Sequence, residues 1–391
     1  MSTPRIISFA VLVVAVLGGI IYINSQNASP APVDGAGAIQ PTMNKAAESE
    51  PRSYERAAKV KLYPVAKDIT TPDGFINTGL NPDRSAKPIT IGEFIGKKVI
   101  LVDFWTFSCI NCQRTTPYLN AWYEKYKDKG LVIIGMHTPE FGFEKVYQNV
   151  LDATKRMGIK YPVVLDNDFS TWRAYGNRNW PHKYLIDIDG FVVYDHIGEG
   201  KYEETEKKIQ ELLKERSDVL RMAEQIPTDV ALANPNDHDR NPQSPEIYFG
   251  ASRNSYLGNG ASGEIGTQTL EEAAGIKTNI LYLSGTWNFK DEFAENKNAG
   301  AMPIGRQAKI IFRYQAKDVY MVASSANGVR VKVLLDGVPV GSEAGEDVKQ
   351  GTLTIKEDRL YKIIQDSKWG EHTLELIIEN PGLRAFTFTF G

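Results

Sequence analysis

Apolar residues follow two different rhythms along this chain, and the change falls near residue 220. From residue 99 to 214, short uninterrupted apolar runs alternate with longer stretches whose apolar positions recur at helical spacing. Residues 99–104, 131–136 and 161–165 predict buried strands. Residues 115–129, 143–157 and 202–214 predict helices; Pro117 is expected to kink the first turns of the first, and Gly158 to end the second. Residues 183–188 and 191–196 predict two more strands joined at Asp189-Gly190, a strong hairpin signal. Strands and helices alternating in this way argue for an α/β domain, a central mixed sheet with helices on both faces.

Beyond about residue 245 the rhythm is that of strands alone. Val329, Val331, Val333 and Leu335 alternate with Arg330, Lys332 and Leu334, and Asp336-Gly337 then offers a two-residue turn. Leu374, Leu376 and Ile378 alternate with Thr373, Glu375 and Ile377. Phe386, Phe388 and Phe390 are placed on one face, with Thr387 and Thr389 on the other. Several such strands separated by turns predict an all-β sandwich or jelly roll. The polar bridge from Asn234 to Pro242 has linker character. The expected division is therefore an α/β domain at 55–218, a linker at 219–244 and a β-sandwich at 245–391.

Residues 6–23 are uncharged and mostly apolar, behind Arg5. That run is longer than the core of about 7–15 residues in a secretion signal and reaches the lower range of a spanning helix. We expect residues 1–24 to be a membrane anchor, with a cleaved secretion signal as second choice. Residues 25–54, rich in Ala, Pro, Ser and Gly, then read as a flexible tether. Positive charge ahead of the run places the rest of the chain outside the cytoplasm, on the envelope side of the membrane. The formal net charge is −3, so there is no electrostatic footprint for nucleic acid.

The chain has two cysteines, Cys109 and Cys112, directly after the first apolar run. A strand leading into a helix whose first turn carries two thiols is a redox device: unpaired N–H groups and the positive end of the helix dipole stabilise negative charge on sulfur there. With no third cysteine, the two either pair with each other or act on cysteines of another molecule. A zinc site needs about four ligands, and His137, His182, His196, His238 and His372 show no paired ligand spacing. An inert structural bridge is the stronger alternative, although such bridges usually close longer loops. No cofactor beyond the dithiol is expected. Asp103 is a lone carboxylate in an apolar strand, which should raise its pKa; the alternative is a local cap. His137 and Glu140 follow a strand end, where open α/β sheets place ligand-binding residues, but read more simply as a loop histidine and a solvated carboxylate.

Residues 102–112, Val-Asp-Phe-Trp-Thr-Phe-Ser-Cys-Ile-Asn-Cys, together with Pro117, resemble the thioredoxin motif region. Residues 98–112 and 135–141 resemble more narrowly the TlpA-like, DipZ-like thioredoxins, over about residues 68–215. The segment after the linker, with its terminal Phe-Thr-Phe-Gly, resembles the C-terminal domain of the DipZ-like proteins, which is similar in shape to carbohydrate-binding modules. The resemblance implies a thioredoxin-like protein-disulfide oxidoreductase. By it, Cys109 would attack a substrate disulfide, Cys112 would resolve the mixed disulfide, and Asp103 would handle the proton of Cys112. Pro181 would be a cis-proline facing the cysteines, and Trp180, Pro181 and Trp105 would contact substrate, although Trp105 also reads as core. The implied partners are protein thiols and disulfides and a membrane electron donor of CcdA or DsbD type. Exposed aromatics such as Trp287, Phe289 or Trp369 would let the C-terminal domain hold a glycan; a protein ligand is the other option. Ile110-Asn111 replaces thioredoxin's Gly-Pro, so its reduction potential does not carry over. A dithiol oxidase or isomerase, a thiol peroxidase, and a glycan-binding envelope protein with an inert disulfide remain the alternatives.

Overall fold

In the computed structural model, which describes residues 50–232, 243–297 and 307–391, the α/β rhythm becomes a six-stranded sheet. Helix α1 (Glu50–Leu62) precedes strands β1 (Gly74–Ile76) and β2 (Val99–Trp105). Helix α2 (Ile110–Tyr126) leads to β3 (Leu131–His137), and α3 (Tyr147–Arg156) to β4 (Val163–Leu165). Then come α4 (Ser170–Ala174), β5 (His182–Ile186), β6 (Val192–Ile197) and α5 (Tyr202–Val219). The strand order is β1-β4-β3-β2-β5-β6. Strands β2, β3 and β4 are parallel; β1, β5 and β6 are antiparallel to their neighbours.

The pleat of β2 decides what lies under the cysteines. Its seven residues are all buried. Val99, Leu101 and Trp105 join the core shared with Cys112, Leu119 and Trp122 of α2, whereas Ile100, Val102 and Phe104 join the core on the opposite face. Asp103 falls in the first set by alternation, so a carboxylate enters the apolar layer beneath α2.

Several boundaries differ from expectation. Helix α2 begins at Ile110 and runs unbroken past Pro117; its start is set by the Cys109 cap rather than by apolar spacing. Residues 143–157 divide into a 3₁₀ turn (Gly142–Lys145) and α3. Gly158 (φ +65°) and Gly190 (φ +90°) take the left-handed conformations their turns require. The short elements β1 and α4 went unpredicted because three and five residues carry little periodicity. Helix α1 starts inside the segment expected to be a tether. Its Lys59 ammonium binds Asp187 (2.6 Å), Asp189 (3.1 Å) and Glu215, pinning α1 to the sheet edge. The expected membrane anchor at 1–24 lies outside the described residues, as does most of the tether. Among the described residues no helix is long and apolar enough to cross a membrane.

The C-terminal body is strand-rich, with an eleven-stranded sheet. Its strands are β7 (Ile247–Tyr248), β8 (Gly266–Leu270), β9 (Leu281–Phe289), β10 (Ala294–Asn296), β11 (Ala308–Ser324) and β12 (Val329–Leu335). They continue as β13 (Val338–Pro339), β14 (Val348–Lys349), β15 (Thr352–Ile355), β16 (Arg359–Ile378) and β17 (Arg384–Phe390). Among the described residues the pairings between these named strands are antiparallel, and the strands enclose one apolar core. Asp336 (φ +52°) and Gly337 (φ +80°) make the expected turn between β12 and β13. Trp287 and Phe289, offered above as sugar platforms, are fully buried, and Trp287 Nε1 donates to the carbonyl of Ser284 (2.9 Å). Of the three, Trp369 alone is exposed.

The expectation that Phe386, Phe388 and Phe390 share a face fails for a physical reason. Val322 of β11 pairs with Thr387 and Ala323 with Ala385, so Phe386 is an extra residue, a bulge in β17. A bulge re-aims its side chain. Phe388 and Phe390 stay in the core of the β-body, while Phe386 turns out toward the redox domain. There it meets the rings of Phe141 (5.1 Å) and Phe143 (5.0 Å). Phe386→Ala should therefore weaken domain docking by about 3 kcal/mol, the usual cost of truncating a buried aromatic. Scanning calorimetry should show the single unfolding transition of the parent splitting into two.

Candidate active site

The site starts at the end of β2, where the chain turns through residues 106–109 into α2. Cys109 is the N-cap of α2: its backbone is extended (φ −75°, ψ 119°), and its sulfur accepts the N–H of Cys112 at 3.3 Å. A thiol thus does what Ser or Asp usually does at a helix start. Cys109 is partly exposed and Cys112 is buried; both are free thiols here. Burial pushes the Cys112 thiol well up, with Cys109 and the charge on Asp103 adding to it. One sulfur is therefore reachable and the other is held protonated until a base takes its proton.

Asp103, the carboxylate expected to handle that proton, lies in the layer beneath α2. It is 2% exposed, and its Oδ1 has no hydrogen-bond partner. Burial pushes its pKa up to about 7, opposed by the Lys183 ammonium. Lys183 lies opposite Asp103 in the β2–β5 register, is itself fully buried and donates to the carbonyl of Gly198 (2.9 Å). Both groups sit in a layer with little water, which is why a single carboxylate can titrate near neutrality.

Trp180 and Pro181 are joined by a cis peptide bond. Trp180 is half-buried, packs tilted against Trp172 with ring centres 4.4 Å apart and donates Nε1 to the carbonyl of Thr138 (2.9 Å). The Pro181 carbonyl is taken by the Gly198 N–H (2.7 Å). Among the described residues neither the N–H nor the C=O of Trp180 has a backbone partner. Trp105, expected to contact substrate, is instead core: it is 2% exposed and packed so closely over Gly135 that a Cβ there would lie 2.9 Å from its Nε1.

His137 and Glu140 are not a loop histidine and a solvated carboxylate. His137 ends β3 fully buried between Trp105 and Phe107, and burial lowers its pKa to about 3, so it is neutral at any physiological pH. Glu140 binds Arg253 (2.8 Å) and the hydroxyl of Tyr248 (3.1 Å), both from the β-body. Sequence reasoning missed Glu144. This buried carboxylate accepts the N–H (3.2 Å) and hydroxyl (2.6 Å) of Ser108 and the N–H groups of Glu140 (2.6 Å) and Phe141 (2.9 Å). It ties the loop before the nucleophile to the loop after β3. The readable signal was the glutamate three residues after Phe141, as in a capping box.

The β-body reaches this site. Ile110, between the two cysteines, is buried against Tyr320, Val322 and Leu360. A cavity of about 290 Å³ lies over Cys109, walled by Asn179 and Trp180 on one side and by Tyr248, Arg253, Thr387 and Thr389 on the other. Among the described residues, the carboxylate group best placed for a metal ion, Asp187, Asp189 and Glu215, is remote in the fold from the cysteines and already holds the Lys59 ammonium.

A dithiol capping a helix, a buried carboxylate beneath it and a cis-proline loop beside it define a thioredoxin-fold redox protein. Residues 66–213 match the family described as Redoxin, and residues 244–391 the one described as Thioredoxin like C-terminal domain. The chain is 34% identical over 336 residues to Protein DipZ of Mycobacterium bovis and of Mycobacterium tuberculosis, a match covering 86% of this chain and 44% of DipZ. It is 35% identical over 132 residues to Thiol-disulfide oxidoreductase ResA of Bacillus cereus, covering 34% of this chain and 70% of ResA. The chain belongs to the thioredoxin-like thiol–disulfide oxidoreductases, and its residues 244–391 match the domain described as Thioredoxin like C-terminal domain. It spans less than half the length of the DipZ relatives it matches.

The Asp103 pKa has a stability consequence. Its carboxyl titrates near 3.8 when the chain is unfolded and near 7 when folded, so the folded state binds the extra proton between those values. Stability should then fall as pH rises from about 4 to 7, by up to roughly 4 kcal/mol at about 1.4 kcal/mol per pKa unit. Asp103→Asn should match the parent near pH 4 and exceed it at pH 8. Urea unfolding of the reduced protein at both pH values checks the sign.

Proposed function

We propose that this chain reduces disulfides of proteins in the cell envelope, outside the cytoplasm, through the Cys109–Cys112 dithiol. The observation that carries the reading is the asymmetry of the pair: a capped, reachable Cys109 beside a buried Cys112 with an unpartnered carboxylate under it. The Cys109 thiolate attacks one sulfur of a substrate disulfide; that S–S bond breaks, a substrate thiolate leaves, and a mixed disulfide forms. Asp103 takes the proton of Cys112. The Cys112 thiolate then attacks Cys109, closing the Cys109–Cys112 disulfide and releasing the second substrate thiolate. Two electrons have passed to substrate. Trp180 and Pro181 would position the incoming chain, the free N–H and C=O of Trp180 pairing with it as one strand pairs with another.

The cycle needs a reductant, which we assign to a membrane electron carrier of CcdA or DsbD type acting on the same two cysteines. The apolar run at residues 6–23 supports a membrane-tethered location facing the periplasm, and a thiol pair that cycles through its disulfide suits that compartment. The C-terminal body is assigned no glycan: Trp287 and Phe289 are in its core, which leaves Trp369 as the one exposed ring of the three.

Two outcomes test this. Cys112→Ser should accumulate a mixed disulfide between Cys109 and substrate, seen as a dithiothreitol-sensitive adduct by mass spectrometry, whereas Cys109→Ser should form none. An equilibrium potential of the pair of about −270 mV, in the range of electron-donating dithiols, is the outcome that fits a reductase. A value near −120 mV, that of a strong dithiol oxidant, would reverse the direction of electron flow.

A further inference from the structure

Resting on the thiol–disulfide reading, the structure also speaks to which disulfides can reach Cys109. In a bare thioredoxin-like unit the nucleophile at a helix start would face open solvent. Here the β-body stands across from it. The cavity over Cys109, about 290 Å³, is at the small end of ligand pockets, which run to about 300–1,000 Å³. One wall is the start of α2 with Asn179 and Trp180; the other is Tyr248, Arg253, Thr387 and Thr389.

The far wall is fixed in place. Phe386 is turned out of its own core by the β17 bulge and packs edge-on against the stacked pair Phe141 and Phe143. Glu140 holds both Arg253 and Tyr248, the Arg253 guanidinium lies 3.8 Å from the centre of the Tyr248 ring, and the Gly142 N–H donates to Glu292 (2.8 Å). Ile110 joins the same contact. A folded protein surface cannot bring a disulfide to Cys109 through a slot of this size while those contacts persist.

The lining favours an extended chain. It is mainly polar, with hydroxyls from Thr387, Thr389 and Tyr248 on one side. On the other, the N–H and C=O of Trp180 are without backbone partners among the described residues. Main-chain groups without backbone partners, on a residue that lines a narrow polar slot, are what an added strand uses. The exposed Arg178 at the rim has no carboxylate partner among the described residues, and it suits a main-chain carbonyl or an acidic side chain of the incoming segment.

We propose that the β-body is the substrate-selecting half of this active site. Together with the cis-proline loop it forms a slot that takes a cysteine carried on an extended polypeptide segment and refuses a disulfide held on a folded surface. Tyr248 and Arg253 are the binding residues of that second wall.

The test uses the whole chain, reduced, in single-turnover reactions followed by stopped-flow. Three substrates carry related chemistry: a linear, unstructured peptide of about ten residues whose one cysteine is disulfide-linked to free cysteine; the same adduct on a surface helix of folded ubiquitin; and cystine. The peptide should react at least about tenfold faster than the ubiquitin adduct, within the range that a shaped site provides. The double variant Tyr248→Ala/Arg253→Ala should bring that ratio close to one, by slowing the peptide and admitting the folded carrier. Each ratio is taken on one preparation, so partial misfolding of the variant cancels. Equal rates for peptide and ubiquitin adduct in the parent, or a ratio the double variant leaves unchanged, would overturn the proposal. So would cystine reacting fastest, since the slot would then serve small disulfides. Reaction with none of the three would sink the thiol–disulfide reading itself.

Discussion

The residue that follows the nucleophile, Ile110, is buried against a different domain from the one that carries it. Tyr320, Val322 and Leu360 of the β-body cover it, and burying an isoleucine contributes roughly 2 kcal/mol. That contact binds the start of α2 to the β-body, so the position of Cys109, the shape of the cavity above it and the docking of two domains are one mechanical problem. Asn111 completes the arrangement: its Oδ1 accepts from Arg114 (2.7 Å), and Arg114 in turn pairs with Glu199 through two nitrogens at 2.8 Å each. The dipeptide between the cysteines is thus a docking element on one side and an anchor to the redox domain on the other. In thioredoxin's Gly-Pro neither side chain could do this.

A second constraint runs perpendicular to the first. The pleat of β2 places Asp103 under α2 because strand side chains alternate, and the apolar layer that this strand helps to build is what raises the carboxylate's pKa. The chemistry and the core are made by the same seven residues. Shifting the register by one would bring Val102 or Phe104 under the cysteines and send the carboxylate to the opposite face. Glu144 works in the same spirit. A buried acid is costly unless its oxygens are satisfied, and here they are satisfied by N–H groups from two separate loops. The cost of burying it ensures that those loops stay together.

Much of this was legible in the sequence because it depends on local rules. The apolar run of β2, the paired thiols after it and the Asp336-Gly337 turn each announce themselves within a few residues. Periodicity gave the α/β and all-strand character of the two bodies, and the resemblance of residues 102–112 gave the thioredoxin fold. What was not legible depends on contacts between residues far apart in the chain. Phe386 reads as one of three aromatics on a face, and only the pairing of β17 with β11 reveals the bulge that turns it outward. Glu140 reads as a solvated carboxylate until Arg253 and Tyr248 arrive from more than a hundred positions away. Trp105 reads equally as lining or core, and the close approach of Gly135 settles it as core. Trp287 and Phe289 carry no local mark that distinguishes a buried ring from a sugar platform.

The enclosed site constrains the reductive half of the cycle as well. Cys109 is the one partly exposed sulfur, so whatever returns electrons to the pair must form its own mixed disulfide there. It meets the same walls as substrate. A donor with a broad, flat docking face would have to separate the domains first, breaking the Phe386 contacts and the Glu140–Arg253 pair; a donor offering its cysteine on a narrow loop would not. On the proposed reading, substrate and donor compete for one slot and obey one shape rule, although their chemistry runs in opposite directions. The second wall suits this double duty by mixing the hydroxyls of Tyr248, Thr387 and Thr389 with charges of both signs, Arg253 beside Glu140 and Glu246. A wall tuned to the side chains of one partner would exclude the other, while a wall that reads an extended backbone admits both.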